Sequence, residues 1–186
     1  MDISFYLGIG EKLVTRRVKI LVFLQNAWRK GAKEGDTSWA PFFADEKKAK
    51  KLWYNALWAC HTGKQLMKIL PKGHNVLVEN SSPIVGNKSW SNFGFSREHV
   101  LSKIEEHEPE IVVLLGNVAR NAKEILEEKK IIYVTGPHPA ARMLSNKRIQ
   151  EIQDSILEAI KIVLSENIIA AKIEGETPSN GNNNGL

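Results

Sequence analysis

Four short, continuously apolar runs punctuate the chain: Lys19 to Leu24, Asn75 to Val78, Ile111 to Leu115 and Ile131 to Val134. They restrict the available folds more than any other feature. Each run is too short for an amphipathic helix and too evenly apolar to alternate between core and water, so the pattern predicts strands buried on both faces, as in parallel sheets. Between the runs the spacing turns helical. Ala49, Leu52, Trp53, Ala56, Leu57 and Cys60 recur with a helical period, and Lys47, Lys48, Lys50 and Lys51 take the other face as an expected solvated surface. Val100, Leu101 and Ile104 form a stripe after Ser96, a helix-capping residue, and Asn117 stands ready to cap a helix carrying Val118, Ala122, Ile125 and Leu126. The longest helix is expected from about Asn146 to Leu164, with Ile149, Ile152, Ile156, Leu157, Ile160, Val163 and Leu164 toward the core. Strands alternating with helices predict an α/β three-layer sandwich with a central, mostly parallel four-stranded sheet flanked by helices.

A length of 186 residues, 42% hydrophobic and 25% charged, suits one globular domain with a sizeable core. That domain is expected over residues 1–170, and residues 171–186 are expected to be a flexible tail, because the stretch from Glu174 offers no apolar side chain before Leu186. A formal net charge of +5 favours a polyanionic partner, nucleic acid foremost. Cys60 is the only cysteine, which excludes an internal disulfide, a Cys-ligated iron–sulfur cluster and a Cys-rich zinc site. Its neighbours suggest core packing. No basic segment leads into a long apolar one, and no apolar run approaches the roughly 20 residues that cross a bilayer. The expected setting is cytoplasmic and reducing, with no membrane partner.

Polar side chains collect just after the apolar runs. Val134-Thr135-Gly136-Pro137-His138-Pro139-Ala140-Ala141-Arg142 holds His138 between two prolines, each of which fixes its own φ and extends the residue before it. The imidazole therefore sits on a stiff loop at the carboxyl end of a strand, where open α/β sheets bind ligands. The first run ends in Gln25-Asn26 and the second in Glu79-Asn80-Ser81-Ser82-Pro83. Between them, the loop from Gln25 to Asp45 has no periodicity and contains Trp39-Ala40-Pro41-Phe42-Phe43. A loop of about 20 residues in a compact domain usually builds a site. Taken singly, each of these residues has an ordinary use as a turn, a cap or a lid. Together, two amides, an imidazole and aromatic rings at one edge meet the needs of a planar heterocycle, which is stacked on its face and hydrogen-bonded along its rim.

With these segments in order, the sequence resembles the uracil-DNA glycosylase superfamily, most closely its single-strand-selective monofunctional branch. Leu24-Gln25-Asn26-Ala27-Trp28 occupies the place of that branch's Gly-Met-Asn-Pro-Gly, and Trp39-Ala40-Pro41-Phe42-Phe43 that of Gly-Val-Pro-Phe-Gly. Asn80-Ser81-Ser82-Pro83 is similar to Asn-x-Cys-Pro, and His138-Pro139-Ala140-Ala141-Arg142-Met143 to His-Pro-Ser-Pro-Arg-Asn. The likeness runs from about Lys19 to Leu164 and includes Leu114-Leu115-Gly116-Asn117-Val118-Ala119.

The resemblance implies a monofunctional DNA glycosylase that extrudes a pyrimidine and hydrolyses its N-glycosidic bond, with no metal and no cofactor. By the same resemblance, Asn26 positions the attacking water and His138 donates to the base oxygen as it gains charge. Gln25, Phe42 and Asn80 bind the base, Phe42 by stacking and Asn80 by reading its hydrogen-bonding edge. Pro139, Arg142 and Met143 contact DNA, Arg142 filling the gap left by the flipped nucleotide. A monomer acting on single- or double-stranded DNA is expected. Ala27 and Trp28 depart from the Pro and Gly that follow the family's asparagine, and Ala140 removes a hydroxyl. Ser81 and Ser82 replace bulkier residues, which suggests a wider pocket and a 5-modified, bulky pyrimidine as an alternative to uracil. Action on modified viral DNA is one use for such a protein. A loop carboxylate, Asp36 before Glu34 or Asp45, is the alternative for activating water. The competing readings are a catalytically weakened nucleic-acid binder of the same fold and a hydrolase of free nucleosides or nucleotides. Salt separates the last, since about 4–6 phosphate contacts give a slope of roughly −4 to −5 in log K against log salt.

Overall fold

The computed structural model describes residues 16–25, 55, 57–84, 94–141 and 144–175, with side chains as far as residue 166. Strands β1 (Lys19–Leu24), β2 (Asn75–Asn80), β3 (Ile111–Leu115) and β4 (Ile132–Gly136) form one all-parallel sheet in the order β2-β1-β3-β4. Helices α1 (His61–Ile69), α2 (Arg97–His107), α3 (Lys123–Glu128) and α4 (Asn146–Gly175) flank it, with a 3-10 turn at Ala119–Ala122.

Strand alternation sorts the apolar side chains into two layers. Ile20, Val22 and Leu24 of β1 and Ile111, Val113 and Leu115 of β3 pack with Leu66 and Ile69 of α1 and Ile152 and Ile156 of α4. Leu21 and Phe23, with Val112 and Leu114, pack on the opposite face with Val100 and Ile104 of α2 and Ile125 and Leu126 of α3. This is the expected three-layer sandwich. The connection from β1 to β2 runs one way across the sheet through the α1 face, and those to β3 and β4 run the other way through the α2 and α3 face. Right-handed parallel crossovers require this reversal.

Several local expectations need correction. Strand β2 continues two residues past Val78 to Asn80, and β4 is shifted one residue to begin at Ile132. Cys60 is exposed and its Sγ donates to the Leu57 carbonyl at 2.9 Å, so it belongs to a helix-end turn and not to the core. The helical pattern stops there and α1 begins at His61. At Gly63 a Cβ would lie 2.0 Å from the Leu57 carbonyl oxygen, so only glycine permits this fold-back. Asn117 is exposed and caps nothing. Gly116 turns the chain directly after β3 and Asn121 N donates to the Val118 carbonyl at 3.2 Å, three residues back, so the next helix starts tightly as a 3-10 turn. Ser96 Oγ does cap α2, accepting from His99 N at 3.2 Å, and Ser145 Oγ caps α4 by accepting from Arg148 N at 3.2 Å. Helix α4 runs past Leu164 to Gly175, through good helix formers such as Ala170 and Ala171. Among the described residues no helix is long and apolar enough to cross a membrane.

Candidate functional site

All four strands point their carboxyl ends to one edge. Leu24 pairs with Asn80, Leu115 pairs with Gly136, and Phe23 pairs with Leu114, so Asn80, Leu24, Leu115 and Gly136 stand in one row across the sheet. Neighbouring β1 and β3 send the chain to opposite sides, and the gap above such a switch point is where open α/β sheets take ligands.

The exit of β2 is tied to the exit of β1. Ser81 N donates to the Leu24 carbonyl at 2.8 Å, and the Gln25 carbonyl accepts from both Ser81 Oγ at 3.0 Å and Ser82 N at 3.1 Å. Ser96 N, at the start of α2, donates to the Ser81 carbonyl at 3.0 Å. Ser81 is fully buried, so its hydroxyl serves this tie and adds no width to a pocket by itself. Its replacement by alanine leaves the Gln25 carbonyl still served by Ser82 N. The expected cost in urea unfolding is therefore the ordinary net value of a hydrogen bond, about 0.5–1.5 kcal/mol. An unchanged unfolding midpoint would show that the tie is idle.

Beneath Asn80 lies a polar cluster on the α2 face. Glu79 is buried, its Oε1 lies 3.4 Å from His107 Nε2, and His99 hydrogen-bonds the Asn80 backbone. Burial lowers the His99 pKa below the ordinary value and neighbouring Lys103 adds to this, against the opposing pull of Glu79, the Asn80 backbone bond and Glu106. Nothing in the sequence patterns marks these histidines, because α2 presents them about two turns apart beside its apolar stripe of Val100 and Ile104.

At the opposite edge, His138 follows β4. Its carbonyl accepts from Ala141 N at 2.9 Å, closing a turn with Pro139 at the second position, where a fixed φ favours it. Pro139 is buried. The His138 Nδ1 accepts from Ala140 N at 3.1 Å, so in the neutral ring the proton resides on Nε2. Burial lowers the His138 pKa below the ordinary 6.5, and the ring is neutral at pH 7. The backbone of Gly116, held at φ +106°, runs against the imidazole: a Cβ there would stand 3.3 Å from the His138 Cβ and 3.5 Å from its Cδ2. Gly116 N donates to the Gly136 carbonyl at 2.9 Å, which fixes this approach.

Asn80, Gln25 and His138 thus share the carboxyl end of the sheet, with Asn80 ending one edge strand and His138 two residues past the end of the other. Three strand spacings put those edges about 14 Å apart. Such a span accommodates a planar ring hydrogen-bonded from both sides at about 2.9 Å. Asn26, Phe42, Arg142, Met143 and the loop carboxylates Glu34, Asp36 and Asp45 lie outside the described residues. Two cavities among the described residues lie elsewhere. One of about 40 Å³ sits at the amino ends of β1 and β2 by Lys19 and Asn75, and an open groove of about 450 Å³ runs between β4 and α4 by Tyr133 and Glu158. Gly116 is a site-forming residue to which motif reading gave no role, although a glycine directly after an apolar strand does signal a positive φ, and Ser81 was read as widening a pocket where it forms the tie to Gln25.

The partly buried imidazoles set a pH dependence. His74, His99 and His138 all have native pKa values lowered by burial, so on acidification the unfolded chain takes up these protons first. Stability is complete above about pH 6.5 and declines as pH falls below it toward the native pKa values. Thermal melts between pH 8 and pH 5.5 are expected to show a falling Tm below that point, with a shallower fall in His138→Ala; melts flat over this range contradict the assignment. Comparison with known proteins finds no matching family model, no matching curated protein and no matching solved structure.

Proposed function

We propose that this protein is a monofunctional DNA glycosylase that flips a pyrimidine out of DNA and hydrolyses its N-glycosidic bond, leaving an abasic site. The observation that carries the reading is His138, a neutral imidazole with Nδ1 engaged by Ala140 and Nε2–H left as the donor, set against Gly116 at the ligand-binding end of a parallel sheet. As the bond from base to sugar breaks, the base departs with the bonding pair and negative charge gathers on its carbonyl oxygen. A fixed, partly desolvated N–H aimed at that oxygen lowers the barrier by several kcal/mol. Water adds to the sugar carbon from the opposite side, with Asn26 as the residue that holds it. Asn80, backed by the buried tie to β1, reads the base edge; a wrong base leaves its amide unpaired at about 1–3 kcal/mol. Phe42 stacks on the ring, and Arg142 enters the space that the nucleotide vacates.

The substrate is uracil or a pyrimidine substituted at C5. Base release from matched single strands and duplexes carrying either, followed by alkali to reveal abasic sites, tests activity and specificity together. Release of uracil alone removes the bulky-substituent arm. No release from any strand, with tight DNA binding retained, assigns the chain as a binder and overturns the enzymatic reading.

A further inference from the structure

Charge is segregated along this chain. Between Glu46 and Glu79 there is no acidic residue, yet the stretch carries Lys47, Lys48, Lys50 and Lys51, then Lys64, Lys68 and Lys72. It therefore holds seven positive charges against +5 for the whole chain, and everything outside it nets −2. The last three lysines are exposed, two on α1 and one in the turn that leads into β2. Lys64 and Lys68 lie one turn apart, outside the stripe of Gly63, Leu66 and Ile69 that packs inward.

Most described lysines and arginines on the other helices are answered by acids, as in Arg97–Glu128, Lys123–Glu127 and Arg148–Glu151. No described acidic residue pairs with Lys64, Lys68 or Lys72. A solubilising surface has no need of such concentration, because interspersed pairs achieve it without self-repulsion. A polyanion relieves the repulsion. The spacing also fits one: Lys64 and Lys68 are about 6 Å apart along the helix, close to two steps of a DNA strand at about 3.4 Å each. Helix α1 shares its core cluster with α4, and the turn after it carries Lys72 into the amino end of β2 at Asn75, so the lysine face runs along one layer of the sandwich toward the edge opposite the candidate site.

We propose that α1 and the turn after it form a sequence-independent surface for the DNA backbone, holding phosphates of the strand remote from the carboxyl edge of the sheet. This rests only on the nucleic-acid part of the function proposed above. The test is a binding titration of the full chain and of a Lys64→Gln/Lys68→Gln/Lys72→Gln variant with a short thymidine-only strand and a short duplex, neither carrying an excisable base, from about 50 to 200 mM salt. The variant is expected to show a slope of log K against log salt shallower by about 2–3 and an affinity at least about tenfold lower near 100 mM. The corresponding triple arginine variant keeps the charge and is expected to keep the slope. Unchanged slope and affinity in the glutamine variant, loss in the arginine variant as well, or absence of DNA binding by the parent chain each overturns the proposal. So does a loss seen only with phosphatidylserine vesicles or polyglutamate. In His138→Ala the slope is expected to stay intact, so a failed base-release panel with a steep, lysine-dependent slope overturns the glycosylase reading alone.

Discussion

Replacing His138 by alanine is expected to lower base release about 100- to 1,000-fold, the loss that follows removal of one donor aimed at developing negative charge. The argument depends on which nitrogen carries the proton. Nδ1 accepts from Ala140 N inside the Pro139 turn, so the ring has one rotamer and one neutral tautomer, and Nε2–H is presented without further reorganisation. DNA affinity is expected to stay nearly unchanged, because a bond that strengthens as the base departs contributes little to the ground state. Single-turnover release at saturating enzyme reads the chemical step apart from binding. His138→Gln, which keeps an N–H donor at similar reach, is expected to recover part of the rate. An alanine variant that releases base at the parental rate removes His138 from the chemistry.

The second large effect is expected at Gly116. Alanine there carries two penalties. The backbone at φ +106° is costly for any side chain, about 1–3 kcal/mol. The new Cβ would also stand 3.3 Å from the His138 Cβ, so the imidazole must yield by a few tenths of an ångström. Gly73 supplies a matched control, since it has φ +86° with nothing within 4 Å of an added Cβ. Gly73→Ala is expected to lose only the backbone share in denaturant unfolding, and Gly116→Ala at least as much. Gly116→Ala alone is expected to lose base release by about tenfold or more, since misplacement of a catalytic group by about 1 Å costs up to 100-fold. Equal activity in the two variants would separate Gly116 from the site.

The sheet was legible because β1 and β3 are continuous runs of Ile, Val and Leu that only a doubly covered parallel strand accommodates. The last residues of β2 were not, because Glu79 and Asn80 are polar and their place in the ladder depends on pairing with Phe23 and Leu24, which no local pattern reports. Helix α1 escaped for a similar reason. Thr62 and Gly63 are poor helix formers, and the glycine is there for its close approach to Leu57. At the site, two prolines advertise the stiffness around His138. The tautomer depends on a backbone N–H two residues away, and the role of Ser81 on a carbonyl 56 residues away in sequence. The first is a detail of local turn geometry and the second a tertiary contact, and composition and spacing carry no trace of either.

The strand order has a consequence for how the chain is made. Strand β1 emerges first, yet both of its hydrogen-bonding edges are filled by segments that come much later, Asn75–Asn80 and Ile111–Leu115. At about 5–20 residues per second of synthesis, the Lys19–Leu24 segment waits several seconds for its second neighbour. During that interval Ile20, Leu21, Val22, Phe23 and Leu24 form an unpaired, aggregation-prone ribbon. Yield from a living cell is therefore expected to depend more on translation rate and chaperone supply than on the stability of the finished fold.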